Sequence, residues 1–142
     1  MSPVPAVARM TAAQFAFAYV AVLAAVAVLD ALWLGVLTKD VYRREMGRLM
    51  ADSFRIAPAA AFYLLYPLAL VYLALWQQPS GWLEAVGRSA VLGLAAYGAY
   101  NLTNLSILRA WPVGLSFMDW AWGGVVTGAA GGAGYWAAWG RD

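Results

Sequence analysis

Four long stretches of the chain carry almost no charged residues, and each is long enough to cross a lipid bilayer as a helix. A membrane-spanning helix needs about 20 mainly apolar residues, and these stretches cover residues 14–37, 56–76, 87–108 and 115–139. Lipid offers the backbone no hydrogen-bond partners, so helices and closed barrels are the structures that cross it. No stretch alternates apolar and polar residues as barrel strands do. The sequence therefore predicts an all-α fold, an integral membrane four-helix bundle.

Composition agrees with this assignment. Hydrophobic residues make up 64% of the 142 residues and charged residues 11%, whereas soluble domains have about 45–50% and about 25%. These values exclude a soluble enzyme, a disordered segment and a nucleic-acid binder, and they predict one membrane domain over residues 1–142. The chain has no Cys and no His, so the common zinc sites and the Ser–His and Cys–His nucleophiles are excluded. We expect no metal and no cofactor, and the sequence favours a role other than that of an enzyme.

The connections between the stretches differ in charge, and this difference predicts an orientation. The first connection holds five Lys or Arg residues and the third holds Arg109; both termini and the second connection together hold three, Arg9, Arg88 and Arg141. Basic residues concentrate on the cytoplasmic side of a membrane. We therefore expect a multi-pass protein of a bacterial inner (plasma) membrane with both termini on the non-cytoplasmic side.

The first connection, residues 38–55, has the pattern of a short amphipathic helix. Val41, Met46, Leu49 and Met50 recur at roughly helical spacing among basic side chains. Helices of this kind lie in the headgroup layer of the bilayer. The alternative is a solvated loop whose positive charges fix the orientation. We expect the interfacial helix, between spans one and two.

Polar side chains from all four stretches fall at one depth. We counted residues from the predicted cytoplasmic end of each stretch. One set of polar residues lies seven residues from that end, which is about 10 Å along a helix, and a second set lies four residues from it. The deeper set is Asp30, Tyr63, Asn101 and Trp122, and the shallower set is Asn104 and Asp119. Polar residues inside a membrane face the bundle interior and often mark a functional site. We expect Asn101 and Asn104 to donate hydrogen bonds to Asp30.

This polar layer predicts a ligand-binding pocket. Tyr97, Asn101 and Asn104 share one face of the third stretch, because helix neighbours recur every three to four residues. Trp33 and Trp122 lie in or close to this polar layer and away from the predicted membrane–water interfaces. The predicted ligand-binding residues are Asp30, Trp33, Tyr63, Tyr66, Tyr97, Asn101, Asn104, Asp119 and Trp122.

The same polar groups also have a purely structural interpretation. Polar side chains hold transmembrane helices together by about 0.6–2 kcal/mol each. Asp119 lies near an expected helix start, where the helix dipole stabilises a carboxylate and Ser116 can act as the cap, so we favour the structural role there. For Asp30 we favour a functional role, because a neutral Asn would hold the helices at lower cost.

Glycines recur at every fourth position of the last stretch, at Gly124, Gly128 and Gly132. Small residues in this spacing let another helix approach closely. The partner helix is either inside the bundle or in a homodimer or larger membrane complex. We favour internal packing, because four spans must first pack together.

Several short motifs occur in a fixed order along the chain. They are DALWLG at 30–35, FYLLY at 62–66, YNLTN at 100–104, WP at 111–112 and DWAWG at 119–123. Together they resemble a family of small bacterial inner-membrane proteins of unknown function with four predicted spans. That family usually shows Asp where this chain has Asn101. The resemblance implies a four-helix membrane fold and brings no activity, substrate or cofactor.

Three functions are compatible with these observations. The favoured one is binding or moving a small molecule or lipid through a polar pocket in the cytoplasmic half of the bundle, with the lipid bilayer as surroundings. The first alternative is a structural or accessory subunit of a larger membrane complex. The second is an intramembrane enzyme that modifies a lipid, with Asp30 and Asp119 as an acid/base pair.

Overall fold

A computed structural model describes residues 8–140, and this part of the chain contains helices and no strand. Arg141, which entered the charge comparison, lies outside the described residues. The first and third helices each continue into a five-residue π-helical turn, Trp33–Leu37 and Val71–Leu75. The helices are α1 Ala12–Leu32, α2 Lys39–Met46, α3 Ile56–Leu70, α4 Trp82–Ile107 and α5 Val113–Trp139. The predicted all-α class is thus confirmed.

Two helices of the described chain are long and apolar enough to cross a membrane. With their π turns they are Ala12–Leu37, with a mean hydropathy of 2.5, and Ile56–Leu75, with 1.8. Helices α4 and α5 are also long enough, at 26 and 27 residues, but their many Gly, Tyr, Trp and Asn residues lower the mean hydropathy. Membrane spans at α4 and α5 therefore stay a prediction.

The first connection contains a short helix, as its apolar spacing predicted. Helix α2 has eight residues, with Asp40 in its first turn and Arg43 and Arg44 in its last. Acidic residues near the N-terminus of a helix and basic residues near its C-terminus interact favourably with the helix dipole. Its location in the headgroup layer stays a prediction.

Helix α5 is the central element of the bundle. Helices α1 and α4 pack against it on two sides, and α2 and the π turn Val71–Leu75 also contact it. Glycines allow the closest approach: a Cβ added to Gly93 of α4 would collide with the carbonyl oxygen of Gly123 and the side chain of Thr127. The backbones of α4 and α5 therefore lie in direct contact.

The glycine stripe of the last helix faces α4. A Cβ on Gly124 would lie 2.9 Å from Leu94, and one on Gly132 would lie 2.8 Å from Trp82. Gly128 lies against Ala90. The stripe thus packs inside the bundle, as we favoured, and a role in a homodimer or larger complex stays untested.

Large apolar side chains cover much of the surface, and several polar side chains are buried. Helix α1 exposes Val20 and Val28 by 64% and 58%, whereas Asp30, Asn101 and Thr127 are buried. Outward apolar side chains suit a lipid surrounding, and polar groups must then find partners inside. The packing agrees with a membrane protein.

The start of α1 is joined to the connection that follows α3. The Met10 amide donates to the Trp76 carbonyl at 3.1 Å, and the Gln78 amide donates to the Ala8 carbonyl at 2.9 Å. These bonds place the start of α1 and the second connection at one end of the bundle. The connection containing α2 lies at the opposite end.

Candidate functional site

Asp30 ends the buried stripe of α1 and joins three helices. The stripe continues through Ala18, Val22 and Val26 at four-residue spacing, and Asp30 is 5% exposed. Its carboxylate accepts a hydrogen bond from the Tyr63 hydroxyl at 3.1 Å and from the Trp122 indole N–H at 3.0 Å. We call these three residues the Asp30 cluster. Counting residues from the ends of the predicted spans placed all three at one level, and this predicted that they would meet.

A second carboxylate has a parallel arrangement. Asp119 accepts from the Tyr42 hydroxyl at 2.7 Å and from the side-chain amide of Asn101 at 2.7 Å. The same amide donates to the Tyr97 carbonyl at 3.0 Å. We call Asp119, Tyr42 and Asn101 the Asp119 cluster, and it connects α2, α4 and α5.

The expected donors to Asp30 are corrected by this geometry. The Asn101 amide binds Asp119, and the half-buried Asn104 side chain makes no hydrogen bond within residues 8–140. The reason is the arrangement of the helices: α1 and α4 pack on different sides of α5. The sequence correctly predicted that Asp30, Tyr63 and Trp122 meet, but it did not predict which way Asn101 faces around the bundle.

The expected position of Asp119 near a helix start capped by Ser116 was also wrong, whereas its role stays a prediction. Helix α5 begins at Val113, so Asp119 lies in its second turn, beyond the helix start. The Ser116 hydroxyl donates to the Pro112 carbonyl at 2.7 Å and does not cap the helix. Because α5 starts directly after Pro112, Asp119 is carried into the bundle.

Tyr42 is a site residue that the sequence analysis missed. It lies on α2, one turn before Met46, so both share a helix face. Burial and the hydrogen bond to Asp119 raise the pKa of Tyr42 above its ordinary value. The hydroxyl therefore remains a donor at neutral pH. The i, i+4 spacing of Tyr42 and Met46 was the signal that could have shown this inward face.

Two stacked indoles connect the clusters. The rings of Trp33 and Trp122 lie 4.4 Å apart and nearly parallel, at 2°. The Trp122 N–H binds Asp30, whereas the buried Trp33 N–H has no hydrogen-bond partner in the described chain. The Trp33 N–H lies near the Tyr42 hydroxyl, and this proximity partly offsets the rise in the pKa of Tyr42.

Two adjoining cavities occupy the cleft between α3 and α4. The larger has a volume of about 540 Å³ and the smaller about 340 Å³. The larger is lined by Leu34, Tyr42, Met46, Phe54, Ala59, Phe62, Tyr63, Tyr100, Asn101, Trp111, Leu115 and Asp119. The smaller is lined by Phe62, Tyr66, Ala96, Tyr97, Tyr100 and Asp119. Phe62, Tyr100 and Asp119 line both, so the cavities adjoin and a carboxylate lies at their junction.

The predicted pocket residues divide into two groups. Those that line a cavity are Tyr63, Tyr66, Tyr97, Asn101 and Asp119. Asp30, Trp33 and Trp122 are not among the lining residues of either cavity, although Asp30 binds the Tyr63 hydroxyl of the larger one. Asn104 lines neither. Within residues 8–140 there is no group of three or more His, Cys, Asp or Glu side chains that could hold a metal ion.

The described chain is helical, its exterior is largely apolar, and its carboxylates are hydrogen-bonded to polar groups of other helices. Together with the cleft between two helices, these features define a small helical membrane protein. Comparison with known families narrows this class: residues 15–136 match the family described as "Predicted membrane protein (DUF2177)", and the chain belongs to that family. The resemblance inferred from the motifs is thereby confirmed, and the function of the family is unknown. No curated protein and no solved structure matches the chain.

Proposed function

We infer that the protein crosses a bacterial inner membrane four times and binds a lipid, or a small molecule of similar amphipathic shape, in the cleft between α3 and α4. One observation carries the proposal. Asp119, which is held by Tyr42 and Asn101, lies where the two cavities meet. A half-buried carboxylate at the junction of two aromatic-lined cavities offers one polar anchor within an apolar space.

The lengths and charges of α4 and α5 support the two further spans. At 1.5 Å per residue their 26 and 27 residues extend about 40 Å, more than the roughly 30 Å of a hydrocarbon core. Between residues 89 and 139 the charged residues are Arg109, in the turn between the helices, and Asp119. With the basic first connection in the cytoplasm, the larger cavity faces the cytoplasmic half of the membrane.

The position of the cleft supports entry of the ligand from the bilayer. Helix α4 contacts the π turn at the end of α3, and the body of α3 packs on α1. The cleft is therefore bordered by two helices that each face lipid. Its two volumes fall within the range of about 300–1,000 Å³ that is usual for small-molecule sites.

The hydrogen-bonding capacity of Asp119 supports a polar contact with the ligand. A carboxylate can accept about four hydrogen bonds, and Tyr42 and Asn101 use two of them. A hydroxyl or amide group of a ligand can donate to the same oxygens.

The cleft favours binding over the two alternatives. The glycine stripe packs against α4 and so gives no separate sign of a docking face. Asp30 and Asp119 belong to different clusters, and Asp30 lines neither cavity. An acid/base pair would need both carboxyl groups at one substrate.

Native mass spectrometry of the purified protein tests this proposal through two adjacent alanines. Ala96 lines the smaller cavity, whereas Ala95 is exposed beside it. We expect Ala96→Trp to fill the cleft and lose the lipid that the unmodified protein retains after extraction. Ala95→Trp, the matched control, should retain it. Equal retention by both variants, or no retained lipid in the unmodified protein, would overturn the proposal.

A further inference from the structure

Arginines occur in a repeated pattern next to aromatic residues that line the larger cavity. Three separate segments show the pattern: α2, the loop before α3, and the turn between α4 and α5. Each segment gives the cavity one aromatic side chain and carries an arginine within two residues of it. The pairs are Tyr42 with Arg43, Phe54 with Arg55, and Trp111 with Arg109.

These arginines have no acidic partner in the described chain. The ion pairs there are Arg44 with Glu45 and Arg88 with Glu84. Arg43, Arg55 and Arg109 are exposed and take part in neither pair. Asp40 and Asp52 lie in the same connection and also form no ion pair. Three guanidinium groups are thus available to an external anion.

The two cavities differ in the groups that lie beside them. The segments that line the larger cavity carry the three exposed arginines, Asp119 lines both cavities, and the smaller cavity is walled by aromatic side chains such as Tyr66 and Tyr97. Guanidinium groups bind phosphate with two parallel hydrogen bonds. An anionic headgroup followed by hydrocarbon, as in a phospholipid, matches this order.

We propose that the ligand of the cleft is an anionic phospholipid, with its phosphate at Arg43, Arg55 and Arg109. One acyl chain of this lipid lies between α3 and α4. This assignment rests on the proposed function and specifies its ligand.

The test compares phosphatidylglycerol with phosphatidylcholine. The protein is reconstituted in nanodiscs that contain both, and the lipids retained after extraction are counted by native mass spectrometry. A membrane-adjacent cation is worth about a fivefold gain in affinity for an anionic lipid. We therefore expect phosphatidylglycerol to be enriched by roughly tenfold or more, and the enrichment to vanish in the triple variant Arg43→Gln, Arg55→Gln, Arg109→Gln.

Two controls distinguish the effect of Arg43, Arg55 and Arg109 from the effect of removing any arginine. Arg44→Gln removes a cation that is already paired with Glu45, and Arg9→Gln removes one at the opposite end of the bundle. Both should keep the enrichment. If the triple variant does not fold, each single variant carries the test, with an expected loss of about fivefold.

The remaining outcomes are distinct. Equal retention of the two lipids, or enrichment that survives the triple variant, would overturn the anionic ligand while Ala96→Trp still tests the cleft. Absence of retained lipid in the unmodified protein would overturn both proposals. Glycerol 3-phosphate in excess should leave the lipid bound, because it lacks acyl chains. Displacement by it would reassign the arginines to a soluble phosphate.

Discussion

At the scale of single residues, the carboxylates of Asp30 and Asp119 are held in the same way. Each accepts one tyrosine hydroxyl and one N–H, and the donors come from different helices. Unpaired charges inside a membrane are costly, so these donors allow Asp30 to be buried and Asp119 to be half-buried between the helices. The Asp119 cluster borders the cavities, whereas Asp30 is separated from them by the Tyr63 hydroxyl.

Replacing Asn101 by Asp should make stability depend on pH. The 2.7 Å contact with Asp119 would then join two carboxyl groups, which can stay together only while they share a proton. The folded variant thus binds one more proton than the unfolded chain. Its free energy of unfolding should fall by roughly 1.4 kcal/mol per pH unit over the range in which the folded state keeps that proton and the unfolded chain has lost it. Unfolding in a denaturing detergent, followed between pH 5 and 9, measures this slope.

Asn104→Asp is the control for this prediction. Asn104 makes no side-chain hydrogen bond in the described chain, so an acid there meets no second carboxylate. Equal pH dependence in both variants would contradict the proposed pairing.

Glu84 at the start of α4 should titrate far below an ordinary glutamate. Its carboxylate accepts from the hydroxyl and the amide of Ser80 and from Arg88. These bonds lower the pKa of Glu84 from 4.5 to about 2. Because the folded value is depressed, the stabilisation is present above pH 4.5 and is lost as the pH falls through about 2. The amide proton shift of Ser80, followed by NMR, should show a midpoint near 2; a midpoint near 4.5 would refute the contact.

At the scale of elements, a π turn positions α2 over the cavity. The amide and the hydroxyl of Thr38 both donate to the Trp33 carbonyl, at 2.8 Å and 2.6 Å. These bonds close the turn at the end of α1, and α2 starts at the next residue. Single π turns are frequent at functional sites. Here the turn brings the Tyr42 hydroxyl to Asp119.

Loss of that hydroxyl should loosen α2. In Tyr42→Phe the hydrogen bond to Asp119 disappears, and one such bond contributes about 0.5–1.5 kcal/mol. We expect amide exchange in Lys39–Met46 to become about two- to tenfold faster, measured by hydrogen–deuterium exchange mass spectrometry. The control is Tyr100→Phe, because that hydroxyl makes no hydrogen bond in residues 8–140. Unchanged exchange in Tyr42→Phe would show that packing alone holds α2.

The contact between α4 and α5 should not tolerate one added methyl group. In Gly93→Ala the new Cβ meets the Gly123 carbonyl and Thr127, and such overpacking costs about 1–3 kcal/mol. Gly87→Ala on the same helix meets nothing within 4 Å and should change stability by less than about 0.5 kcal/mol. Unfolding of both variants in the same detergent mixture gives the comparison, and a similar cost for both would refute the close approach.

The elements themselves were largely predictable from the sequence. Their limits agree within a few residues, because long apolar runs bounded by charged connections define helices in a membrane chain. The largest difference is at α4, which begins at Trp82, five residues before the predicted stretch. Helix α5 begins two residues early, at Val113, and Asp119 therefore lies in its second turn. Apolar content did not reveal this start, since Val113 and Gly114 are no more polar than the residues that follow.

At the scale of the whole molecule, the order of the helices around the bundle decides the site. Depth along the membrane normal follows from counting residues, and it brought Asp30, Tyr63 and Trp122 together. Which helix each residue faces depends on packing, and the central position of α5 directs Asn101 to Asp119. The location of the cleft could not be predicted from the sequence for the same reason. The cleft exists where α3 and α4 are not packed along their length.

The central claim is that a lipid occupies this cleft, and crosslinking measures it most directly. The protein is placed in nanodiscs with a small amount of phosphatidylglycerol that carries a photoreactive diazirine in one acyl chain, and labelled residues are located by peptide mass spectrometry. A bound lipid should label Phe62, Tyr66, Ala96 and Tyr97. It should label them several times more than Val125 and Ala129 in the outer groove of α4 and α5, which bulk lipid also reaches. Equal labelling of both surfaces would mean that the cleft holds no more lipid than any other face, and would contradict the account.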